Sequence, residues 1–549
     1  MRTEYCHPSD TEPFYRQFCE EELDETGELK RFDLRFSENY NFGYDVVDRI
    51  ADHDPEKKAL VWLGADGEEK IFTFGDIRRL SNQAANAFLA HGIKKGDRVM
   101  LILKRSYEYW YAVVALHKIG AVAVPASHML TLEDLVYRIR KVGISAVIAL
   151  HDESLHRLLH LAQSECTTLK QIWTIGSNSY RFCNFTKEIE GRSDSLERIP
   201  TKANDIMIVY FTSGTTGYPK AVAHNHLYTL AHIITARYWQ RVVDGGLHLT
   251  VADTGWGKAS WGKIYGQWIL GSAVLVYDFE SFDSRSLVNV MNRYEVTTFC
   301  APPTVYRYMV KRDNINLPHL KHATSAGEYL PPEISRQFEK QTGITVAEGY
   351  GQTETTLLIA NLAGSKTRRG SMGKASPLYD IQVVKEDGSL SETGEPGEII
   401  LVSKKNQRGL MLGYLSGKKI DASSIRDGIH HTGDSGWKDK DGYFWYNGRV
   451  DDVIKTGGFR VGPVEIENIV IEHPQVLECS VVGVPDPLRG QAIKALIVLV
   501  ADTEPCDELK NDIRTFANNR LAVFKHIRIV DFVDELPKTS NGKIRKRTL

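Results

Sequence analysis

An α/β fold with largely parallel sheets is predicted by three features of the chain. Short apolar runs alternate with helical patterns through most of its length. Apolar residues make up 42% and charged residues 25%, the balance of an ordinary globular protein. Beyond about residue 370 the texture changes, and charged glycine turns separate short strands.

The elements follow in order. Residues 97–103 are almost continuously apolar and read as a buried strand. Residues 106–119 read as a helix and 121–125 as the next strand; 132–142 and 146–150 repeat that helix–strand order. Strands such as 398–402, set between tight turns, predict a β-rich subdomain. A boundary falls near 448–452. Past it, strands at 481–484, 495–500 and 527–532 and a helix at 508–521 make a small α+β unit. The expected architecture is a large N-terminal domain, residues 1–450, of layered α/β subdomains plus the β-rich one. A small, mobile C-terminal domain, residues 451–549, completes it.

Composition narrows the partners. The net charge of −2 gives no global attraction to nucleic acid or an anionic membrane. The first fifteen residues are polar and acidic and lack the apolar core of a signal peptide. The most apolar stretch, 111–126, is broken by His117 and Lys118 and is too short to span a bilayer. The seven cysteines form no CxxC pair, as in a reduced, cytoplasmic protein.

Chemistry concentrates in a few runs. Residues 210–220 read YFTSGTTGYPK and follow an apolar strand pattern. Such a loop surrounds phosphate oxygens with hydroxyls, backbone N–H groups and a lysine, although a plain turn has the same composition. It is not a Walker A loop, because Lys220 is followed by Ala221 and does not follow a glycine. Residues 349–355, GYGQTET, set Glu354 among hydroxyls and glycines, where one carboxylate plus phosphate oxygens can hold Mg²⁺. His431-Thr432-Gly433-Asp434 places an acid behind a tight turn. Gly457-Gly458-Phe459-Arg460 joins backbone freedom to a guanidinium. Lys543 follows Gly542 in the near-terminal run PKTSNGK.

Taken in order, FTSGTTGYPK, YGQTET, HTGD, GRVDDVIKTGGFRVGPVEIE and LPKTSNGKIRK resemble the motif series of the adenylate-forming acyl-CoA synthetase family over essentially the whole chain. The runs 324–328 and 348–354 are similar to the medium-chain branch. The resemblance implies an AMP-forming acid–thiol ligase using ATP, Mg²⁺ and coenzyme A. A carboxylate attacks the α-phosphate of ATP, and the CoA thiol then takes the acyl group.

The implied roles map onto matching positions. Thr212, Ser213, Gly214, Thr215, Thr216, Gly217 and Lys220 hold the β- and γ-phosphates. Gly327 and Glu328, with Glu348, Gly349, Tyr350 and Gly351, frame the nucleotide. Thr353 contacts the α-phosphate and the acyl carboxylate, Glu354 holds Mg²⁺, and Asp434 and Arg449 bind the ribose. Lys543 bridges carboxylate and α-phosphate as they react. Asp451 is the hinge about which the C-terminal domain rotates between half-reactions. Rotation withdraws Lys543 and presents Gly457, Gly458, Phe459 and Arg460, with Arg460 steadying the AMP phosphate or acyl group. Arg489 and Arg528 meet CoA, although 523–528, VFKHIR, departs from the relatives' run and leaves those nucleotide-end contacts open.

Two further departures stand out. Tyr218 replaces a small or apolar residue and is expected to tolerate substitution. Residues 253–263, DTGWGKASWGK, carry two tryptophans and two lysines where medium-chain relatives are more aliphatic. Trp256, Gly257, Lys258 and Trp261 are expected to line the acyl pocket on one side, with Ala301 and Ala326 on the other. A tryptophan facing the tunnel shortens it, favouring short, medium or branched acids. Core packing is the alternative for both tryptophans. The expected partners are a small carboxylic acid and CoA, with homodimerisation left open. The rival readings are an adenylating enzyme with a carrier-protein or other acceptor, or with an aryl acid, and a non-catalytic nucleotide-binding protein.

Overall fold

A computed structural model describes residues 12–176, 182–212, 218–311, 315–403, 408–501, 503–538, 544 and 546, and leaves the Arg460 side chain undescribed. Ser213, Gly214, Thr215, Thr216, Gly217 and Lys543 lie outside the described residues.

Two nine-stranded sheets dominate the larger part of the chain. In the first, the parallel core runs through Val122–Pro125, Arg98–Ile102, Ile144–Ala149 and Gln171–Thr174. Ile206–Phe211 joins it in parallel beside Val122–Pro125 and then turns back as Ala221–Asn225, antiparallel. The second sheet centres on Ala273–Tyr277, Leu247–Thr250, Thr298–Ala301, His322–Ser325 and Val346–Tyr350, all parallel. One apolar core fills the space between the sheets, with Trp110, Trp239, Trp268 and Tyr265 among its fully buried side chains. Strands covered on both faces cannot alternate polar and apolar residues, which explains the continuous apolar runs.

Local chemistry sets the element ends. The helix Leu132–Val142 starts at a capping box of Thr131 and Asp134 and stops at Gly143, with φ of +66°. The helix expected over 106–119 starts two residues later, at Glu108, because Ser106 belongs to the turn that leaves the preceding strand. The late strands form a third sheet around Gly397–Val402 and Ile429–Lys438. The last sheet pairs Val476–Asp486 with Gly490–Leu499 and packs against Pro463–Ile471 and Asp507–Asn518 over a separate apolar cluster. Among the described residues, no helix is long and apolar enough to cross a membrane.

Between the larger and smaller parts lies one shared carboxylate. Glu478 accepts from Arg307 Nη1 at 3.4 Å and from Lys538 Nζ at 2.9 Å. Arg307 belongs to the helix Pro303–Val310, and Lys538 pairs with Ile544 across the undescribed segment that contains Lys543.

Candidate active site

The phosphate-loop motif closes a hairpin whose neck is pinned. The Thr212 amide donates to the Lys220 carbonyl at 2.9 Å, and the Lys220 amide donates to Thr212 Oγ1 at 3.4 Å. Tyr218 is 63% exposed, yet it is not idle. Its ring stacks on Tyr137 at 4.7 Å, and Tyr137 Oη donates to the Pro219 carbonyl at 2.9 Å. The outer limb of the loop is thereby fastened to the helix Leu132–Val142.

Lys220 leads to the carboxylate. Its Nζ lies 4.8 Å over the Tyr414 ring, and Tyr414 Oη donates to Glu354 Oε1 at 2.9 Å. Burial raises the Glu354 pKa above its ordinary value, and the Tyr414 bond partly offsets that. A half-buried carboxylate with one oxygen held by a phenol and a lysine close by suits a hard cation that shares phosphate oxygens. Among the described residues no cluster of three His, Cys, Asp or Glu groups exists, so such a cation would draw most of its shell from phosphate and water. Tyr414 escaped the sequence reading; the signal available was an aromatic residue after Gly413 in a short strand. Tyr414→Phe keeps the ring under Lys220 and removes the bond to Glu354. We expect roughly a severalfold to tenfold rise in the Mg²⁺ concentration needed for half-maximal pyrophosphate exchange, measured by metal titration.

Asp434 gathers three motifs. Its Oδ2 accepts from Tyr350 Oη at 2.6 Å and Gln352 Nε2 at 2.7 Å, and its Oδ1 accepts from Arg449 Nη1 at 3.1 Å. Arg449 Nη1 and Gln352 Nε2 also reach the Thr432 carbonyl. The YGQTET and HTGD runs and the strand ending at Arg449 therefore meet at one buried carboxylate. Arg449 Nε lies 3.8 Å from Asp451 Oδ1, which sets the expected hinge residue beside this group.

Thr353 is held from behind. His224 Nε2 lies 2.7 Å from the Thr353 carbonyl and acts as donor there, since a carbonyl can only accept. Burial pushes the His224 pKa down to about 4, so the imidazole stays neutral at physiological pH. His224 was absent from the expected site residues; its contact is long-range and carries no spacing signal. His224→Asn shortens the side chain and is expected to lower the rate of adenylate formation roughly tenfold or more, with a smaller effect on KM for ATP. Steady-state pyrophosphate exchange separates the two.

The residues proposed for the acyl side fall into two groups. A methyl on Gly257 would lie 3.7 Å from Thr353 Cγ2, so this loop runs beside Thr353. Lys258 Nζ donates to the Ala326 carbonyl, next to Gly327, whose φ is +102°. Trp261 is 7% exposed and lies against Gly351: a methyl on that glycine would come within 2.6 Å of the ring. Trp239 does the same to Gly349, also at 2.6 Å, and the two indoles meet edge to face at 6.1 Å. Trp256 is half-buried. Ala301 does not join this group. It packs in the outer cluster with Leu249 and Val305, while Cys300 faces the cluster that holds Trp261 and Ala326. Side chains alternate along a strand, so neighbours at 300 and 301 must face opposite ways.

Glu348 is buried on the outer face, its Oε1 accepting from the Leu330 amide at 3.1 Å, and burial raises its pKa to about 8. Glu328 is half-buried at the start of the adjoining loop. Gly457 and Gly458 adopt positive φ, and the Gly457 amide donates to the Arg489 carbonyl at 2.9 Å. Phe459 stacks on Phe524 at 4.5 Å, Leu488 is 96% exposed, and Arg528 is exposed.

Comparison with known proteins follows the same outline. A family model described as AMP-binding enzyme matches residues 47–415, and one described as AMP-binding enzyme C-terminal domain matches 465–543. "Acyl-coenzyme A synthetase ACSM3, mitochondrial" of Homo sapiens is 37% identical over 94% of this chain and 90% of its own length. "Acyl-coenzyme A synthetase ACSM4, mitochondrial" of Mus musculus is 35% identical over 96% of this chain and 93% of its own. Among solved structures, the anthranilate CoA ligase AuaEII in complex with anthranoyl-AMP aligns with a TM-score of 0.86 and 27% identity, over 93% of this chain and 97% of that one. ATP-bound MatB from Rhodopseudomonas palustris aligns with a TM-score of 0.82 and 25% identity, over 93% and 98%.

Proposed function

Because the chain belongs to the AMP-binding enzyme family, and is within it an ATP-dependent acyl-CoA synthetase that works through an acyl-adenylate, we propose that its acid is compact: short to medium in length, with branching accepted. The observation that carries this reading is the Trp261 ring lying against Gly351, within the run that ends in Thr353 and Glu354. We read this indole as filling space beside the reacting carboxylate, with Trp239 backing it from the next glycine along. On this reading the indole pair would bar a linear long-chain acid.

The first half-reaction joins an anion to a polyanion, so charge placement and alignment dominate. We assign Lys220 and the hairpin loop to the β- and γ-phosphates, and Asp434 with Arg449 to the ribose. Glu354 is the residue that would hold Mg²⁺, whose chemistry when bound is to neutralise phosphate charge. Thr353, fixed through its carbonyl by His224, orients the carboxylate and α-phosphate, and Lys543 closes the site. For the second half-reaction, a boundary at 450/451 with rotation about Asp451 would present Gly457, Gly458 and Arg460 to the incoming thiol. Arg489 and Arg528 lie on that unit and are assigned to CoA.

A second reading is an aryl acid. The edge-to-face indoles and the buried Tyr228 and His232 near Trp261 form an aromatic box, and an aligned structure is an anthranilate CoA ligase. One assay separates the two. A panel of short, branched, medium-chain and aromatic acids is run with ATP and CoA, scored as kcat/KM for thioester. We expect branched or short acids to lead. Preference for benzoate-type acids would favour the second reading, and preference for long linear acids would exclude both.

A further inference from the structure

The final motif, LPKTSNGKIRK, carries a lysine on each side of Lys543: Lys538 before it and Lys546 after it. Both are paired with carboxylates of the smaller unit. Lys538 Nζ donates to Glu478 Oε1 at 2.9 Å, and Lys546 Nζ donates to Glu467 Oε1 at 2.5 Å. Lys538 also forms an antiparallel bridge with Ile544, whose side chain packs against the apolar cluster of Leu496, Val498 and Leu536. The chain is therefore fastened just before and just after the residues that include Lys543.

The Glu467 contact is built for precision. Glu467 stands on the helix Pro463–Ile471, and the oxygen that takes Lys546 also accepts from the Val481 amide at 2.8 Å. The neighbouring strand thus aims the carboxylate. The two side chains are only 17% and 14% exposed, so water and salt compete weakly for them. The ammonium also acts on the boundary between the units. Burial raises the Asp452 pKa, and Lys546 is the leading influence against that rise. Asp452 directly follows Asp451, the expected hinge residue. Glu478 is shared with Arg307 of the larger part, whereas Glu467, Val481 and Lys546 all belong to the smaller unit, so their contact travels with it.

We propose that Lys546 is a positioning residue for adenylation: bound to Glu467, it fixes the chain directly after Ile544 and so sets where Lys543 is delivered. The inference rests on the assignment of Lys543 to the first half-reaction. Consecutive Cα atoms are about 3.8 Å apart, so a fixed Ile544 leaves the Lys543 Cα little room. Ile544 is held from one side by Lys538 and its apolar neighbours, and from the other by Lys546. A lysine side chain is long and flexible, and its ammonium reaches two reacting oxygens together only from a fixed backbone. A displacement of about 1 Å at a reacting group can lower a rate roughly a hundredfold. Lys546 itself touches neither reactant, because its ammonium is occupied by Glu467.

The test measures both half-reactions on the full chain: ATP–pyrophosphate exchange, and thioester formation from supplied acyl-adenylate. Lys546→Gln is expected to lower the exchange kcat roughly 10- to 100-fold, with KM for ATP and the thioester rate within about twofold of the parent. Lys546→Arg keeps the cation and should recover most of the lost rate. In a Lys543→Ala background, adding Lys546→Gln should cause no further loss, since a residue that acts through Lys543 then has nothing to place. Should Lys546→Gln fail to fold, Glu467→Gln carries the same test, because its amide oxygen still accepts from Val481. An equal fall in both half-reactions, or additive losses in the double variant, would assign the pair to the stability of the unit and overturn the proposal. Parental exchange in Lys546→Gln beside a deficient Lys543→Ala overturns it and leaves the Lys543 assignment intact. Parental exchange in Lys543→Ala removes that assignment and this inference with it.

Discussion

Lys543→Ala is expected to lower ATP–pyrophosphate exchange by roughly a hundred- to a thousandfold, while thioester formation from supplied acyl-adenylate stays within about threefold. The argument is electrostatic. Adenylation brings a carboxylate onto a phosphate that is already anionic, and the charge on the shared oxygens grows toward the transition state. A cation bound to both partners acts most strongly at that moment. Lys220, over the Tyr414 ring, is assigned to the β- and γ-phosphates, and Arg449 is held by Asp434, so neither is expected to substitute. The second step needs no such cation, since the adenylate is formed and the thiol must approach. Equal loss in both half-reactions would mean that Lys543 supports the fold of the C-terminal unit, and would remove it from the chemistry.

Trp261→Ala is expected to change which acid is used more than how fast the best acid reacts. Removing the indole opens space beside Gly351, and each methylene newly accommodated is worth roughly 10- to 200-fold in kcat/KM. Linear acids several carbons longer should therefore rise by about two orders of magnitude or more, and the compact acids preferred by the parent should fall modestly through lost contact. The measurement is kcat/KM across a homologous series of linear acids. A parallel loss for every acid would show that the ring braces the catalytic strand without defining the pocket. Trp239→Ala serves as a comparison, because that ring stands behind Gly349, one step further from Thr353.

The legible parts of this molecule were those written in consecutive residues. The hairpin loop, the YGQTET run and the HTGD turn each carry their chemistry within a few positions, and the structure brings the last two together on Asp434. Long-range partners were not legible. Tyr414 reaches Glu354 because its strand pairs with Ala221–Asn225, and His224 lies on that strand, well over a hundred residues from Thr353. No periodicity encodes either meeting. That Ala301 lies in a different cluster from Trp261 and Ala326 was hidden for another reason: Phe299, Cys300 and Ala301 are all apolar, so a strand buried on both faces gives no sign of which side chain points where. Tyr218 was expected to be replaceable because it departs from the usual small residue, and only the fold reveals the Tyr137 ring it rests on.

Glu478 gives the enzyme a detent. Its carboxylate is held by Arg307 from the larger part of the chain and by Lys538 at the entry to the Lys543 segment. Under the proposed rotation, a turn of the smaller unit away from the helix Pro303–Val310 must first part Arg307 from Glu478, a threshold that neither substrate touches. Both side chains are largely shielded, so this threshold responds weakly to salt. If the smaller unit turns between half-reactions as proposed, the strength of this contact sets how long it dwells in the arrangement described above, a matter of timing and not of affinity.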